Sequence, residues 1–527
     1  MSSDELVGIA EKAARGGLFL FIGNAASTVV FAVGVIIVAR LLGPSDYGRY
    51  TLALVVPMLL VYLSDVGMTY ALIRLPARLR ADGEHPRANR LVKQGFLLKL
   101  AVSTVAFLIC YSFAGPIATT IMNRPQLAPF LQLASLMIVF QAIFDAASNS
   151  FIGQDLMQNS AGMQITQAML KGTLAPALVF VGFGITGAIL GYVFASAAAG
   201  LAGAALLFTR HARSPGRSIE RTSSGLRELL GYGIPLYLAS ILAVFLTQYQ
   251  NIVLARFASN VEIGNFSATS NFTTLMMILI YPITTAMFPM FSKMDPKRQR
   301  SDLARGFVLA VKYTSLLMIP ASVMVMIFSR DLIYLTFGSS YTFAPQYLVF
   351  LSALYVATGI GYLIVGTFLG GVAQTGTILK IGALTLAIYL PLGPALTWLW
   401  GPIGLLVAYI LSNLISTLYG VQQVGLSFDA RPDVKASGRI LVAALGAAIP
   451  TLALIQLDGA GVGLVNLVIG ALFYVGIYLT LIPVLKAVSK QDIINLRTTI
   501  GKTRMVAAFT NPIFDYEDRL ISAMGQG

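Results

Sequence analysis

Apolar runs of about 20 residues recur from residue 17 to residue 485, parted by short polar breaks. Each run is long enough to cross a hydrocarbon layer of about 30 Å as a helix. In hydrocarbon, only a helix or a closed barrel satisfies its own backbone hydrogen bonds. Charged residues make up 11% of the chain and hydrophobic ones 57%, against about 25% charged in a soluble domain. That much apolar surface exceeds what a water-soluble core can hide. The expected class is all-α: a polytopic membrane protein with about 14 transmembrane helices, in two parallel six-helix bundles plus two C-terminal helices. The spans fall at roughly 17–38, 50–72, 95–118, 127–150, 161–181, 185–209, 233–255, 262–290, 304–328, 342–370, 375–400, 402–424, 438–456 and 460–485. The first run is followed by many others and lacks a small-residue cleavage site, so it reads as a span and not as a cleaved leader.

An internal repeat supports two bundles. Val38–Tyr50, VARLLGPSDYGRY, returns as Leu254–Phe266, LARFASNVEIGNF, at an offset of 216 residues. Ala39, Arg40 and Gly48 match Ala255, Arg256 and Gly264, while Asp46 with Glu262 and Tyr50 with Phe266 keep their character. Both copies sit between apolar runs, which gives the short match its weight. A second echo pairs Phe151–Gly153 with Phe368–Gly370 at an offset of 217. The expected organisation is therefore a first bundle over 1–209, a cytoplasmic linker over 210–232, a second bundle over 233–424, two further spans over 425–485 and a cytoplasmic tail over 486–527.

Loop charge orients the chain. With the N-terminus inside, 28 of the 36 Lys and Arg residues fall in inside segments, five outside and three within spans. The net charge of +14 is explained by these loops and needs no nucleic acid. The pattern predicts a cell-membrane protein with both termini cytoplasmic. In the tail, Lys486, Lys490 and Arg497 are placed to meet anionic lipid, and the acidic end with Asp515, Glu517 and Asp518 is expected to be mobile. Pro57, Pro176, Pro235, Pro282 and Pro320 lie within or near spans, as helix-packing residues or as hinges.

Ionised groups in hydrocarbon cost several kcal/mol, so those within spans face protein interior or a wet cavity. They are Asp65, Lys99, Asp145, Lys171 and Lys312, with Arg74 at the inner end of the second span and Arg40 and Arg256 at matching outer ends. Lys171 lies about ten residues from either end of its span, too deep for easy snorkelling. It must meet water, an acid or a bound anion. For Lys99 and Lys312, snorkelling to the inner surface is the ordinary alternative. Asp145 lies within reach of Lys99 if their helices are neighbours, and Asp65 would otherwise pair with Arg74 or a lysine. Arg40 and Arg256 fit an outer gate as well as they fit anchoring against Asp46 or Glu262. Asn24, Gln164, Gln167, Gln248 and Gln250 add polar groups, and Tyr237, Tyr249, Tyr281 and Tyr355 are aromatics that could stack on sugars or simply pack. The positive lean of the spans favours an anionic substrate.

Cys110 is the only cysteine, His85 and His211 lie in basic loops, and CxxC, HExxH and Walker A patterns are absent. A histidine-ligated metal site, an intrachain disulfide and ATP chemistry are therefore not expected, and neither is a soluble catalytic domain, since the longest loop between spans is about 22 residues. The chain reads as a transporter and not an enzyme, with no cofactor. Energy is expected from a Na+ or H+ gradient, from the membrane potential or from the substrate's own imbalance between leaflets.

The stretch VARLLGPSDYGRYTLALVVPMLLVYLSDVGMTYALIR resembles the polysaccharide-biosynthesis flippases of the multidrug/oligosaccharidyl-lipid/polysaccharide (MOP) exporter superfamily. Ala39, Arg40, Leu42, Gly43, Pro44, Tyr47 and Gly48 match that family's ARxLGPxxYG segment, and Asp65 with Gly67 matches its acid–x–Gly step. The resemblance implies two six-helix bundles around a cavity with alternating access. Its substrate would be a lipid-linked glycan on a polyprenyl phosphate or diphosphate, moved from the cytoplasmic to the outer leaflet. Lys171 and Arg256 are then candidates for the anionic head group. The two final spans resemble the extra pair of the lipid II flippases, which is proposed to cradle a lipid tail. Membrane lipids, and a glycan polymerase or glycosyltransferase, are the implied partners. Two other readings stand beside this one: a cation-coupled drug or metabolite antiporter of the same superfamily, and a non-transporting component of a glycan assembly complex.

Overall fold

A computed structural model of the chain describes residues 3–212, 222–457, 463–500 and 504–523. Arg213, Arg217 and Arg221 of the expected linker lie outside the described residues, as do the side chains of Lys12, Arg15, Pro235, Tyr281 and Pro282. All regular structure among the described residues is helical. Among the described residues, eight helices are long and apolar enough to cross a membrane, or nine if the pair Ala344–Ile360 and Val365–Gly371, bent by 49°, forms one span. This all-α, multi-pass membrane architecture agrees with the expected class, but the expected 14 spans are not separated as 14 elements. One reason is that several spans run on through a break. α1, Ser3–Leu63, has 61 residues and at 1.5 Å per residue would measure about 90 Å, three times the hydrocarbon thickness. It is two rods with a corner at Gly43, where φ is 71° and ψ 170°. Gly43 takes the positive φ that disfavours a side chain, and Pro44, lacking an N–H, opens the second rod. The same Gly–Pro device breaks the 54-residue helix Thr375–Phe428 at Gly401–Pro402. The runs expected at 233–255 and 262–290 fall within the helices Thr222–Phe257 and Asn260–Ser292, some of whose side chains are not described.

The chain divides into two compact units, Met1–Ser267 and Ala268–Gly527. The first holds α1, α2 (Met68–Ala81), α3 (His85–Ser112), α4 (Ala128–Ile152), α5 (Met157–Leu178), α6 (Gly184–Ala212), α7 (Thr222–Phe257) and the start of α8 (Asn260–Ser292). The division falls just after the repeat's second copy. The reason is local: α7 is tied to the first helices. Arg74 donates to the Tyr232 hydroxyl at 2.9 Å, Tyr237 donates to the Leu63 carbonyl at 3.1 Å, and Arg87 meets Glu228 at 3.5 Å.

The second unit continues with α9 (Arg300–Ile327), α10 (Ser329–Thr336), α11 (Ala344–Val356), α12 (Val365–Gly371), α13 (Thr375–Phe428), α14 (Val434–Leu457), α15 (Leu464–Val484), α16 (Lys490–Ile500) and α17 (Arg504–Ala523). Pro320 sits inside α9 and, lacking an N–H, leaves the Leu316 carbonyl without its helical donor. Tyr478 of α15 supplies one, donating to Leu316 O at 3.0 Å. One helical turn away, Tyr474 donates to Pro320 O at 3.1 Å. Two tyrosines thus fasten α15 along α9, with Ile319, Val323, Ala443, Ala447 and Ile482 buried around them.

The tail is docked on this unit, contrary to the expected mobile end. Ser489 and Asp492 form a capping box that starts α16, Ser489 N donating to Asp492 Oδ2 at 2.8 Å and Asp492 N to Ser489 Oγ at 3.3 Å. Asp515 pairs with Arg497, and Tyr516 bonds Thr480 at 2.9 Å. Phe514, Glu517 and Ile521 are all buried, at the spacing of one helix face. Burial pushes the Glu517 carboxyl up to about 8, and both its oxygens lack a hydrogen-bond partner among the described residues.

Two outcomes are expected. Tyr478→Phe lowers stability in detergent by about 1–3 kcal/mol, the cost of a buried carbonyl left without a donor. In a Pro320→Ala background, where residue 320 regains its N–H, the same change costs less, and a thermal-unfolding double-mutant cycle reads the difference. For the tail, a raised acid makes docking strongest below its free value of 4.5 and weakens it as pH rises towards about 8. Protease protection of α17 should therefore decline across that window and become flat in Glu517→Gln.

Candidate functional site

The first unit contains a polar cluster built where four helices meet the corner between α1 and α2. The chain turns there through Val66 and Gly67, both at positive φ, which aims Asp65 inward. Lys99 of α3 is 1% exposed. Its Nζ lies 2.6 Å from Asp65 Oδ1 and 3.7 Å from Asp145 Oδ2 of α4. Asp65 also accepts from the Thr69 hydroxyl at 2.9 Å, and Asn149 donates to that hydroxyl at 3.1 Å. From Asp145 the network runs on through neutral groups. Gln141 Nε2 donates to Asp145 at 3.0 Å. Gln141 Oε1 accepts from Gln167 of α5 at 2.9 Å and from Ser196 of α6 at 3.1 Å. Beside it, Phe144, Ala146, Ala147 and Met163 are buried in the apolar core of the same unit.

Lys171 lies one helical turn beyond Gln167 on α5. Its Nζ sits 3.6 Å from the centroid of the Tyr192 ring and 5.8 Å from that of Phe31, a cation held on aromatic faces. Among the described residues no carboxylate is within ion-pair distance of it. It borders a cavity of about 20 Å³, room for about one water, lined by Phe31, Tyr50, Lys171 and Tyr192. Asp65, Asp145, Lys99 and Lys171 together carry two charges of each sign, so the positive lean of the spans rests on Lys312 and Arg256 of the second half.

Lys312 in the second unit is paired. Its Nζ meets Asp492 of the tail at 2.5 Å, and Tyr313 donates to the same carboxylate at 3.3 Å. Burial alone would push Asp492 up, but hydrogen bonds from Lys312 and from Ser489 hold it below its ordinary value. Asp492 was not among the sequence candidates, because it lies 180 residues away and beyond the last span.

The remaining candidates lie apart from the polar cluster. Arg74 both bonds Tyr232 and covers its ring at 4.9 Å. Arg40 and Arg256 are exposed. Arg256 lies in the last turn of α7, where a cation suits the helix dipole. Asp46 and Glu262, expected as anchors for them, are used locally: Asp46 meets Arg49 at 3.2 Å, and Glu262 accepts from Ser259 N at 2.8 Å as a helix cap. Gln248 is buried and accepts from Asn251 at 3.4 Å. Gln164 donates to Ser160 at 3.5 Å. Tyr249 stacks on Phe245, and Tyr355 packs against Tyr362. Gln141, Ser196 and Tyr192 belong to the site but carry no charge, and hydropathy alone does not distinguish them from packing residues.

Lys99→Met should leave two carboxylates facing each other without a cation, at a cost of about 3–5 kcal/mol. Adding Asp65→Asn and Asp145→Asn should restore folded, monodisperse protein in detergent. Full stability in Lys99→Met alone would contradict the pairing.

Comparison with known proteins places the chain in a family. The family model described as "Polysaccharide biosynthesis protein" matches residues 13–295. The succinoglycan biosynthesis transport protein ExoT of Rhizobium meliloti is 26% identical over 314 residues, covering 59% of this chain and 60% of that protein, so the match spans less than two thirds of ExoT. The lipopolysaccharide biosynthesis protein WzxC of Escherichia coli is 24% identical over 399 residues, covering 75% and 77%. Among solved structures, the lipid II flippase MurJ in an inward closed conformation shares the fold with a TM-score of 0.71 at 15% identity, covering 89% of this chain and 98% of that one.

Proposed function

Because the chain belongs to the polysaccharide biosynthesis protein family, within the MOP exporter superfamily, we propose that it is a flippase for a lipid-linked oligosaccharide or polysaccharide unit. The carrier is a polyprenyl phosphate or diphosphate, and the head group crosses from the cytoplasmic to the outer leaflet by alternating access. Both termini are cytoplasmic, and the chain makes 14 crossings in two parallel repeats of six plus a final pair, as the basic loops and the duplicated stretch support.

The observation that carries the reading is Lys171, a lysine deep in its span that rests on Tyr192 and Phe31 without a carboxylate at ion-pair distance. Aromatic faces hold an ammonium without neutralising it. A phosphate oxygen entering beside Tyr192 completes its charge, and Gln164, Gln167 and Gln141 offer amide groups to sugar hydroxyls. The lipid tail stays in apolar surroundings. In the second unit a groove of about 370 Å³ is lined by Ile319, Ile360, Ile410, Leu414 and Leu441. Its last residue belongs to α14, one of the two extra helices, and the groove suits an isoprenoid chain. Coupling to H+ or Na+ is assigned to Asp65 and Asp145, since loss of one negative charge there changes the balance against Lys99 and Lys171. Each charge moved along the membrane potential is worth about 2.3 kcal/mol per 100 mV. A glycan polymerase or glycosyltransferase is the expected protein partner.

The test is flipping in sealed liposomes with a short lipid-linked glycan, with and without an imposed H+ or Na+ gradient. Protein-dependent transfer is expected, with at least about a tenfold loss in Lys171→Gln, equal to about 1.4 kcal/mol of lost interaction, and retention in Lys171→Arg. Transfer undiminished in Lys171→Gln moves the head-group site elsewhere. Gradient-driven export of organic cations by the same preparation would replace this reading with the antiporter.

A further inference from the structure

The two copies of the repeat do not merely resemble each other: they touch, and they do so reciprocally. A Cβ built on Gly48 would overlap the carbonyl oxygen of Asn260, and it would lie 2.9 Å from Gly264 N. A Cβ on Gly264 would overlap the carbonyl oxygen of Pro44 and lie 3.1 Å from Gly48 N. At the repeat offset of 216 residues, Gly48 corresponds to Gly264 and Pro44 to Asn260. Each copy's glycine thus receives the carbonyl four residues before the other copy's glycine. This is the pattern of a two-fold contact, in which residue i meets j and j meets i.

The three atoms nearest each Cβ so built are all backbone. The helices meet backbone to backbone, with room for hydrogen and no more, and any Cα–H···O attraction there is weak. Such a contact excludes water when closed, yet strands no charge and no amide when opened. The surroundings fix the end of α7 without bridging the glycines. Arg124, from the segment before α4, donates to the Ala255 carbonyl at 3.3 Å and also reaches the Ala258 carbonyl and Asn260 Oδ1. Arg40 and Arg256, the sequence's own candidates for an outer gate, lie in the same stretches but on exposed positions.

We infer that Gly48 and Gly264 are the two halves of a clasp that seals the outer side of the transporter and must part in each cycle. This rests on the flippase reading above, which puts both stretches at the outer ends of their helices. Glycine is required at both positions because a single methyl group on either one props the clasp open. The clasp accounts for why glycine is among the three identities the copies share.

The test reads conformation rather than transport. Cys110→Ala removes the only native thiol. Ser267→Cys, a near-isosteric change one turn inward of Gly264 at a buried position, reports entry of a membrane-impermeant thiol reagent from the outer side of oriented vesicles. Labelling should be slow with both glycines present and about tenfold faster in Gly48→Ala or Gly264→Ala, the ratio following the open population. The double variant should be no faster than the quicker single one. Gly34→Ala, at a glycine packed on Gly172 in the same unit, should leave the rate unchanged. Arg124→Gln leaves both glycines in place and should raise labelling about threefold by loosening the end of α7, which keeps the test decisive if a glycine variant does not fold. Unchanged slow labelling in folded Gly48→Ala or Gly264→Ala overturns the clasp. Faster labelling in a preparation that flips no glycan upholds the clasp and counts against the substrate reading instead.

Discussion

An ionised side chain in hydrocarbon must find an opposite charge, water or a ligand, and the cost of failing is several kcal/mol. The first unit is arranged around that constraint. Lys99 is fully enclosed, and two carboxylates converge on it. Those carboxylates are in turn supplied with donors from Thr69 and Gln141. Lys171 is met by aromatic rings, with no carboxylate at ion-pair distance among the described residues. In the second unit the same constraint is solved from outside the spans, by folding the tail back so that Asp492 reaches Lys312. One lysine held without a carboxylate at ion-pair distance among the described residues, where others have one, is the observation on which the proposed anion site rests.

Backbone groups obey a parallel rule, since no water is available in the bilayer to replace a lost helical bond. Pro320 would orphan the Leu316 carbonyl, and a tyrosine from α15 fills the gap. The corner at Gly43–Pro44 places its irregular residues at the end of one rod and the start of the next. Where two helix ends must come closest, glycine removes the side chain altogether.

Much of this was legible in the sequence, for identifiable reasons. Hydropathy marks spans because hydrocarbon demands it, and the Gly–Pro corners at residues 43 and 401 sit where the runs were divided. Asp65, Lys99, Asp145 and Lys171 stood out because charge is rare in such runs, and the pairing of Lys99 with Asp145 follows from their similar depth. Other features were hidden. Asp492 looks like any tail acid until the chain folds back across 180 residues. Gln141 and Ser196 gain meaning only from the groups they bridge. The repeat showed that Gly48 and Gly264 correspond, but correspondence along a chain does not say that two residues meet. The compact division after Ser267 was also out of reach, because it depends on side-chain ties such as Arg74 to Tyr232.

The most direct measurement of the central claim is equilibrium binding of a polyprenyl diphosphate and of the neutral polyprenol of equal length to the purified protein. If Lys171 is the vacancy for an anion, the diphosphate binds at least about tenfold more tightly, a difference of about 1.4 kcal/mol, and Lys171→Gln abolishes that preference while leaving polyprenol binding unchanged. Equal affinity for the two lipids, or a preference that survives in Lys171→Gln, would contradict it.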